Sequence, residues 1–248
     1  MQGNGAMRID NTPPALVAGL WCGVVLLAMI GVVAALGRGA FPADLTTRAD
    51  PFREQLLRAL HREDPFRLQR AVELSLVDGR FAAHPFVILL HVLPGGLFLL
   101  LAPLQFSSRI RNRHIRFHRW SGRLLVVTAF VTAFAGLYFG LLMPYGGLLE
   151  MAAIAFFGGL FLTAIGKAFV AIRRHEISRH REWMIRALAV ALGISTVRLV
   201  ALALDIALTP AAVRPALVFG LSLWTGWALT VGVAELWIAH TRSSVSTR

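Results

Sequence analysis

Histidines in two short segments are the residues of this sequence best suited to chemistry. The first segment contains His114 and His118, and the second contains His175 and His180. In each segment the second histidine is followed by an arginine and then, one or two positions later, by a tryptophan. Neutral imidazoles bind transition metals and haem iron through a ring nitrogen. His118 and His180 are therefore candidate ligands of a shared metal centre.

Arginines close to these two histidines are suited to neutralising a bound anion. A guanidinium pairs well with carboxylate or phosphate oxygens, such as those of haem propionates or lipid head groups. The candidate cofactor-binding arginines are Arg119, Arg123, Arg181 and Arg186. The predicted cofactor is haem b or a transition metal, bound through the two histidines. The alternative is that these side chains only anchor helices at the membrane boundary, where aromatic and basic residues accumulate.

A second set of ionisable residues predicts an outer polar site. His84 and His91 are seven residues apart, which places them on one face of a helix and about two turns apart. Arg198 and Asp205 have the same spacing. Ionisable groups within a membrane usually face the protein interior or a water-filled cavity. These four residues would suit a quinone, a proton relay or a transported solute. The alternatives are a His91 hydrogen-bonded to a neighbouring helix and an Arg198–Asp205 clasp.

The elements that must position these residues are membrane-spanning helices. Of the 248 residues, 56% are hydrophobic and 15% are charged, whereas soluble domains have about 25% charged residues. Six apolar windows are long enough to cross a hydrocarbon core of about 30 Å at about 1.5 Å per residue. They cover 14–36, 84–106, 121–143, 148–171, 184–208 and 213–238. The predicted fold is all-α, a polytopic transmembrane bundle of six spans with a central four-helix unit.

The same windows divide the chain into four parts. Residues 1–36 are predicted to form an N-terminal transmembrane anchor, because their apolar window exceeds the roughly 7–15 residues of a signal-peptide core; the alternative is a cleaved signal sequence. Residues 37–83 are a charged amphipathic segment, which forms either helices on the membrane surface or a solvated loop. Residues 84–208 form a four-helix membrane core of two hairpins, whose similar His-Arg segments suggest an internal repeat. Residues 209–248 form the sixth helix and the tail.

The distribution of positive charge predicts the orientation. The net charge is +12, and arginines crowd the turns at 107–120 and 172–182 but not those near Pro144 and Pro210. Loops on the cytoplasmic side accumulate Lys and Arg. Both termini are therefore predicted to be cytoplasmic and 37–83 to be extracytoplasmic. This topology accounts for the positive charge, so no nucleic-acid partner is expected. The expected contacts are the lipid bilayer and, at the basic turns, anionic lipids.

The sequence assigns no reaction. It lacks the HExxH, P-loop and GxSxG motifs of three large enzyme classes. Its single cysteine, Cys22, excludes an internal disulfide and a thiolate metal cluster. Whether the protein is an enzyme stays open on this evidence.

Short motifs between His84 and Arg198 resemble one family of membrane proteins, the predicted bacterial membrane proteins catalogued as domain of unknown function 2306 (DUF2306). The resemblance implies a multi-pass protein of the bacterial cytoplasmic (inner) membrane and supplies no activity. The matching residues are His84-Pro85, His91, Ala102-Pro103-Leu104-Gln105-Phe106, Arg109, Arg111, His118-Arg119, Gly122-Arg123, the stretch from Gly136 to Gly140, His180-Arg181-Glu182-Trp183-Met184-Ile185-Arg186 and Arg198.

The chain also has a looser likeness to di-haem b-type cytochromes of the four-helix kind, which carry histidines near both membrane faces. It departs from them because His84 and His91 share one helix. The arrangement of histidines predicts at most one bis-histidine haem, bound between His118 and His180. Three functions follow as alternatives. They are a redox or cofactor-binding protein or accessory subunit of a membrane complex, a transporter or lipid-handling protein using the outer polar site, and a purely structural membrane subunit.

Overall fold

The structure is a computed structural model that describes residues 14–40, 84–208 and 213–246. These ranges contain seven α-helices and no strand. Six of the helices, all but the third, are long and apolar enough to cross a membrane. The predicted all-α fold with six spans is therefore confirmed. The helices are α1 (Pro14–Ala40), α2 (Pro85–Gln105), α3 (Ser108–Arg113), α4 (Ile115–Leu142), α5 (Gly147–Arg173), α6 (Ile177–Leu208) and α7 (Pro215–Ser246).

Several helices extend past their apolar windows. Helix α4 begins at Ile115 and α6 at Ile177, six and seven residues before the predicted starts. Hydropathy marks only the part of a helix that can sit in hydrocarbon, whereas its backbone hydrogen bonding continues into the head-group region. The consequence is that His118 and His180 each occupy the fourth position of a helix. Of the predicted charged segment 37–83, residues 41–83 lie outside the residues that the structure describes.

All six long helices share one buried core. Helix α2 packs against α4, α4 against α5, and α5 against α6. Helix α1 lies against α2 and α6, and α7 lies against α5 and most extensively against α6. The first and last spans therefore contribute to the same core as the four central helices. One buried residue from each long helix illustrates this: Ala28, Phe98, Leu125, Ile165, Val197 and Leu223.

Glycines bring α6 and α7 into close contact. A Cβ atom on Gly226 would lie 2.7 Å from both the backbone nitrogen and the Cα of Val197. A Cβ on Gly193 would overlap the ring of Trp227, and Trp227 Nε1 donates to the carbonyl of Val190 at 2.9 Å. Lipid tails are as apolar as the side chains, so helices in a membrane associate through such close packing and hydrogen bonds.

The turn between α4 and α5 is closed by a buried acid. Glu150 is 6% exposed, and its carboxylate accepts hydrogen bonds from the backbone N–H groups of Tyr145 at 2.6 Å and Gly146 at 2.5 Å. Gly147 follows with φ of +64°, a left-handed conformation that glycine adopts at little cost. Glu150 thus satisfies amide groups that would otherwise lie unpaired near the membrane surface.

Candidate functional site

The two histidines predicted as ligands lie at the same end of the bundle. His118 is in the first turn of α4 and His180 in the first turn of α6. His118 is close enough to interact electrostatically with His180, and also with Arg111 and Arg119. The fold therefore places at one end of the bundle two imidazoles that are 62 residues apart in the sequence.

The ring nitrogens of the two histidines have different surroundings. His180 Nδ1 lies 2.9 Å from the carbonyl oxygen of Ala168 on α5. A carbonyl accepts only, so Nδ1 carries the proton in this contact and Nε2 keeps its lone pair. Histidines that bind metals are commonly oriented in this way by a carbonyl or carboxylate.

His118 Nδ1 is a buried polar atom that needs an explanation. It makes no hydrogen bond to any described residue. A buried donor or acceptor without a partner costs about 1–3 kcal/mol. A bound group that accepts or donates a hydrogen bond, or coordinates this ring, would remove that cost.

The short helix α3 supplies a charge that the sequence analysis did not assign to the site. Arg111 of α3 interacts electrostatically with both His118 and the half-buried Arg181 of α6. Helix α3 contacts α2 and α4, and its first turn is capped by Ser107, whose Oγ accepts the N–H of Ile110 at 3.4 Å. A serine at this position was the available sequence signal for the helix.

Arg186 forms an ion pair with α7. Its Nε and Nη2 donate to the two carboxylate oxygens of Glu235 at 2.6 and 2.9 Å, and its Nη1 lies 3.8 Å from Glu182. Glu182 in turn accepts two hydrogen bonds from Arg242. Arg186 is thus engaged in tying α6 to α7, in addition to any role at the predicted cofactor site.

An aromatic ring joins this ion-pair network to α5. The Lys167 Nζ lies 4.5 Å from the centroid of the Trp183 ring, and the Arg186 Cζ lies 4.6 Å from it. Both are cation–π distances. The remaining predicted arginines, Arg119 and Arg123, are exposed on α4.

The first histidine of each pair belongs to a turn. His175 has φ of 60°. Its N–H donates to the Ile172 carbonyl at 3.2 Å, and the N–H of Glu176 donates to the Ala171 carbonyl at 2.9 Å. This is the Schellman arrangement, in which the residue after the helix is left-handed. His114 lies between α3 and α4. His114 and His175 therefore lie outside the helices, whereas His118 and His180 lie within α4 and α6.

At the opposite end, His91 fastens α2 to α4. Its Nδ1 lies 2.8 Å from the carbonyl oxygen of Thr132, and Thr132 Oγ1 donates to the His91 carbonyl at 2.6 Å. Gly136 makes room for the ring, because a Cβ there would lie 2.8 Å from His91 Cε1. His84 packs edge-on against Tyr138, with ring centroids 6.5 Å apart. Both outer histidines therefore contact α4.

The other two residues of the outer polar site lie on α6. Arg198 is exposed, and its Nη1 lies 3.3 Å from the carbonyl oxygen of Ile194. Asp205 is 2% exposed. An assembled site of His84, His91, Arg198 and Asp205 stays a prediction.

The ligand groups are few. Within residues 14–40, 84–208 and 213–246, no three His, Cys, Asp or Glu side chains are grouped so as to hold a metal ion. The predicted ligand set therefore consists of the two histidines alone.

Comparison with known proteins identifies the family. Residues 88–238, more than half of the chain, match the family model described as predicted membrane protein (DUF2306). The match includes both His-Arg segments and most of α7. No curated protein and no solved structure matches the chain. The chain belongs to the DUF2306 family of predicted membrane proteins.

Proposed function

We propose that this protein binds a haem through His118 and His180 and serves in one-electron transfer in the bacterial cytoplasmic membrane. The observation that carries the proposal is the convergence of two imidazoles from different helices. The Nδ1 of His180 is held by a backbone carbonyl, and the Nδ1 of His118 is buried without a hydrogen-bond partner among the described residues.

The number of ligands favours haem over a bare metal ion. A porphyrin supplies four nitrogens to its iron, so two imidazoles complete the coordination. A bare divalent ion bound by the same pair would need further ligands, since structural zinc, for example, takes about four. Arginines near the pair suit the propionates, because guanidinium groups bind carboxylates through two parallel hydrogen bonds. The alternative cofactor is a transition metal bound by the same two histidines, with its remaining ligands supplied by water or by a partner's side chain.

The residues of this chain have distinct roles in the proposed site. His118 and His180 would hold the iron from two helices, and the Ala168 carbonyl would keep the second ring in its orientation. Haem supplies the electron chemistry, and the surrounding charge and burial set its reduction potential. The protein acts alone or as an accessory subunit of a membrane complex.

The test is a visible spectrum of the protein purified in a mild detergent. The reduced-minus-oxidised difference should show a b-type haem at about one per chain, since one pair of histidines would hold one haem. His118→Ala and His180→Ala should each remove it. His114→Ala is the matched control, because His114 lies one turn before His118 but is exposed, and it should keep the haem.

A folded protein with neither haem nor bound metal would contradict the proposal. The alternative would then be a transporter or lipid-handling protein, since Arg198 and the buried Asp205 share α6. Stabilisation by lipids or small anions that is weakened by Arg198→Ala would support that alternative. Co-purification with one membrane complex, without a ligand, would support a structural subunit.

A further inference from the structure

Three arginines lie on one exposed face of α4, at the end of the helix that carries His118. Arg116, Arg119 and Arg123 are all exposed, and together they form what we call the arginine face of α4. Their spacings of three and four residues make them neighbours on the helix surface. Like charges at these spacings repel each other and destabilise the helix. A bound anion would relieve this repulsion.

No acidic residue in the described ranges forms an ion pair with the arginine face. Two of the five acids described, Glu150 and Asp205, lie at the opposite end of the bundle. The other three pair with arginines of α6 and α7, as Glu176–Arg179, Glu235–Arg186 and Glu182–Arg242. By contrast, the segment 107–123, which contains α3 and the start of α4, has six arginines and no acid. Its positive charge is therefore available to a partner.

The arginine face continues into an apolar surface along the same helix. Trp120 is 62% exposed, and Val127 and Phe134 are exposed further along α4. At 3.6 residues per turn, these three side chains point in nearly the same direction as Arg116 and Arg123. Exposed apolar side chains of a spanning helix face lipid tails, and an exposed tryptophan is typical of the head-group level. The surface of α4 thus offers positive charge beside the head groups and apolar contacts beside the tails.

We propose that the arginine face of α4 binds the head group of an acidic phospholipid, with an acyl chain lying along Val127 and Phe134. The lipid phosphate supplies acceptor oxygens, and a guanidinium donates two parallel hydrogen bonds to such a group. An acidic protein segment would match the charge but not the adjoining apolar surface, which favours the lipid. The site lies on the outside of the bundle, so it goes beyond the haem proposal and does not require it.

The test measures the binding of defined lipids to the full chain in detergent by native mass spectrometry. Phosphatidylglycerol should bind more tightly than phosphatidylcholine, because only the first carries a net negative charge. Arg119→Gln and Arg123→Gln should each weaken phosphatidylglycerol binding about fivefold, as expected for one basic residue near an anionic head group. A triple variant that also carries Arg116→Gln should bind the two lipids equally.

Arg179→Gln is the matched control. It removes the same formal charge at the same end of the bundle, but Arg179 is already paired with Glu176 at 3.0 Å. Phosphatidylglycerol binding should stay within about twofold of the wild type, since an exposed ion pair contributes little. A triple lysine variant of the arginine face keeps the charge, so it should still prefer phosphatidylglycerol even if the triple glutamine variant fails to fold.

The haem and lipid proposals can fail separately. His180→Ala should remove haem and leave phosphatidylglycerol binding unchanged. Equal binding of the two lipids to the wild type would overturn the lipid site, and so would unchanged phosphatidylglycerol binding in the triple glutamine variant. A loss in Arg179→Gln as large as that in Arg123→Gln would show attraction to the whole end of the bundle and refute a site on α4.

Two competition experiments identify the source of the anion. If inorganic phosphate displaces phosphatidylglycerol from the wild type at equal concentration, a free phosphate replaces the lipid as the ligand. If polyglutamate binds more tightly than phosphatidylglycerol and depends on the same arginines, an acidic protein partner replaces it. Retention of phosphatidylglycerol in the presence of both competitors is the result expected.

Discussion

Replacing Gly226 by alanine should separate α6 from α7. The new Cβ would lie 2.7 Å from backbone atoms of Val197, which cannot move aside as a flexible side chain does. Carbon atoms pack best at about 3.5–4.0 Å, so the helices must move apart by about 1 Å, and a gap of that size forfeits a quarter to a half of the dispersion energy.

The magnitude follows from two opposing terms. Overpacking costs about 1–3 kcal/mol, and alanine gains up to about 1 kcal/mol over glycine in helix propensity. With the full gain from alanine the net loss should be up to about 2 kcal/mol, or up to about 8 °C in the melting temperature of a chain this long. The melting temperature is measured by heating the protein in detergent and recording the fraction that remains monodisperse.

Gly232→Ala is the control on the same helix. A Cβ at Gly232 would meet no atom within 4 Å, so this variant should gain only the helix propensity of alanine and be up to about 1 kcal/mol more stable than the wild type. Equal melting temperatures for the Gly226 and Gly232 variants would refute the close backbone contact between α6 and α7.

Two further substitutions test local contacts. Thr132→Val keeps the shape of the side chain but removes the hydrogen bond to the His91 carbonyl, so stability should fall by about 1 kcal/mol. An unchanged melting temperature would contradict the α2–α4 clasp. His175→Gly should raise stability by about 0.5–1 kcal/mol, because its left-handed conformation disfavours side chains with a Cβ. A lower melting temperature would show that the His175 ring makes a contact worth more than this strain.

Hydropathy was sufficient to predict the spans. A helix that crosses hydrocarbon needs a continuous apolar stretch, so each span can be recognised in the sequence without knowing which helices it packs against. Helix ends were less accurate, as at Ile177, because the head-group region accepts polar residues such as Arg179 and His180 within a continuing helix. The six-residue α3 is too short to leave a hydropathy window, so it was missed.

The composition of the candidate site was only partly predictable. His118 and His180 stood out by type and position, and both lie in the first turns of helices at one end of the bundle. Arg111 did not stand out, because several neighbouring residues are also arginine and only packing selects one of them. The Arg186–Glu235 pair was missed for a related reason, since sequence does not state which helices are neighbours.

The outer residues illustrate the same limit. Spacing placed His84 and His91 on one face of α2, and both do contact one helix, α4. Spacing cannot tell whether that face meets a cavity or a tightly packed neighbour. The Thr132 hydroxyl and the space at Gly136 decide how His91 is held, and both are features of another helix.

A single residue connects the surface helix to the span that carries His118. His114 ends α3, with its N–H bonded to Ile110, and begins α4, with its carbonyl bonded to the His118 N–H at 3.0 Å. With no slack between the two, a change in the tilt of α3 must be absorbed by the two backbone torsions of His114 or passed on to the first turn of α4. A force that tilts α3 would therefore also bear on the first turn of α4, which carries the His118 ring.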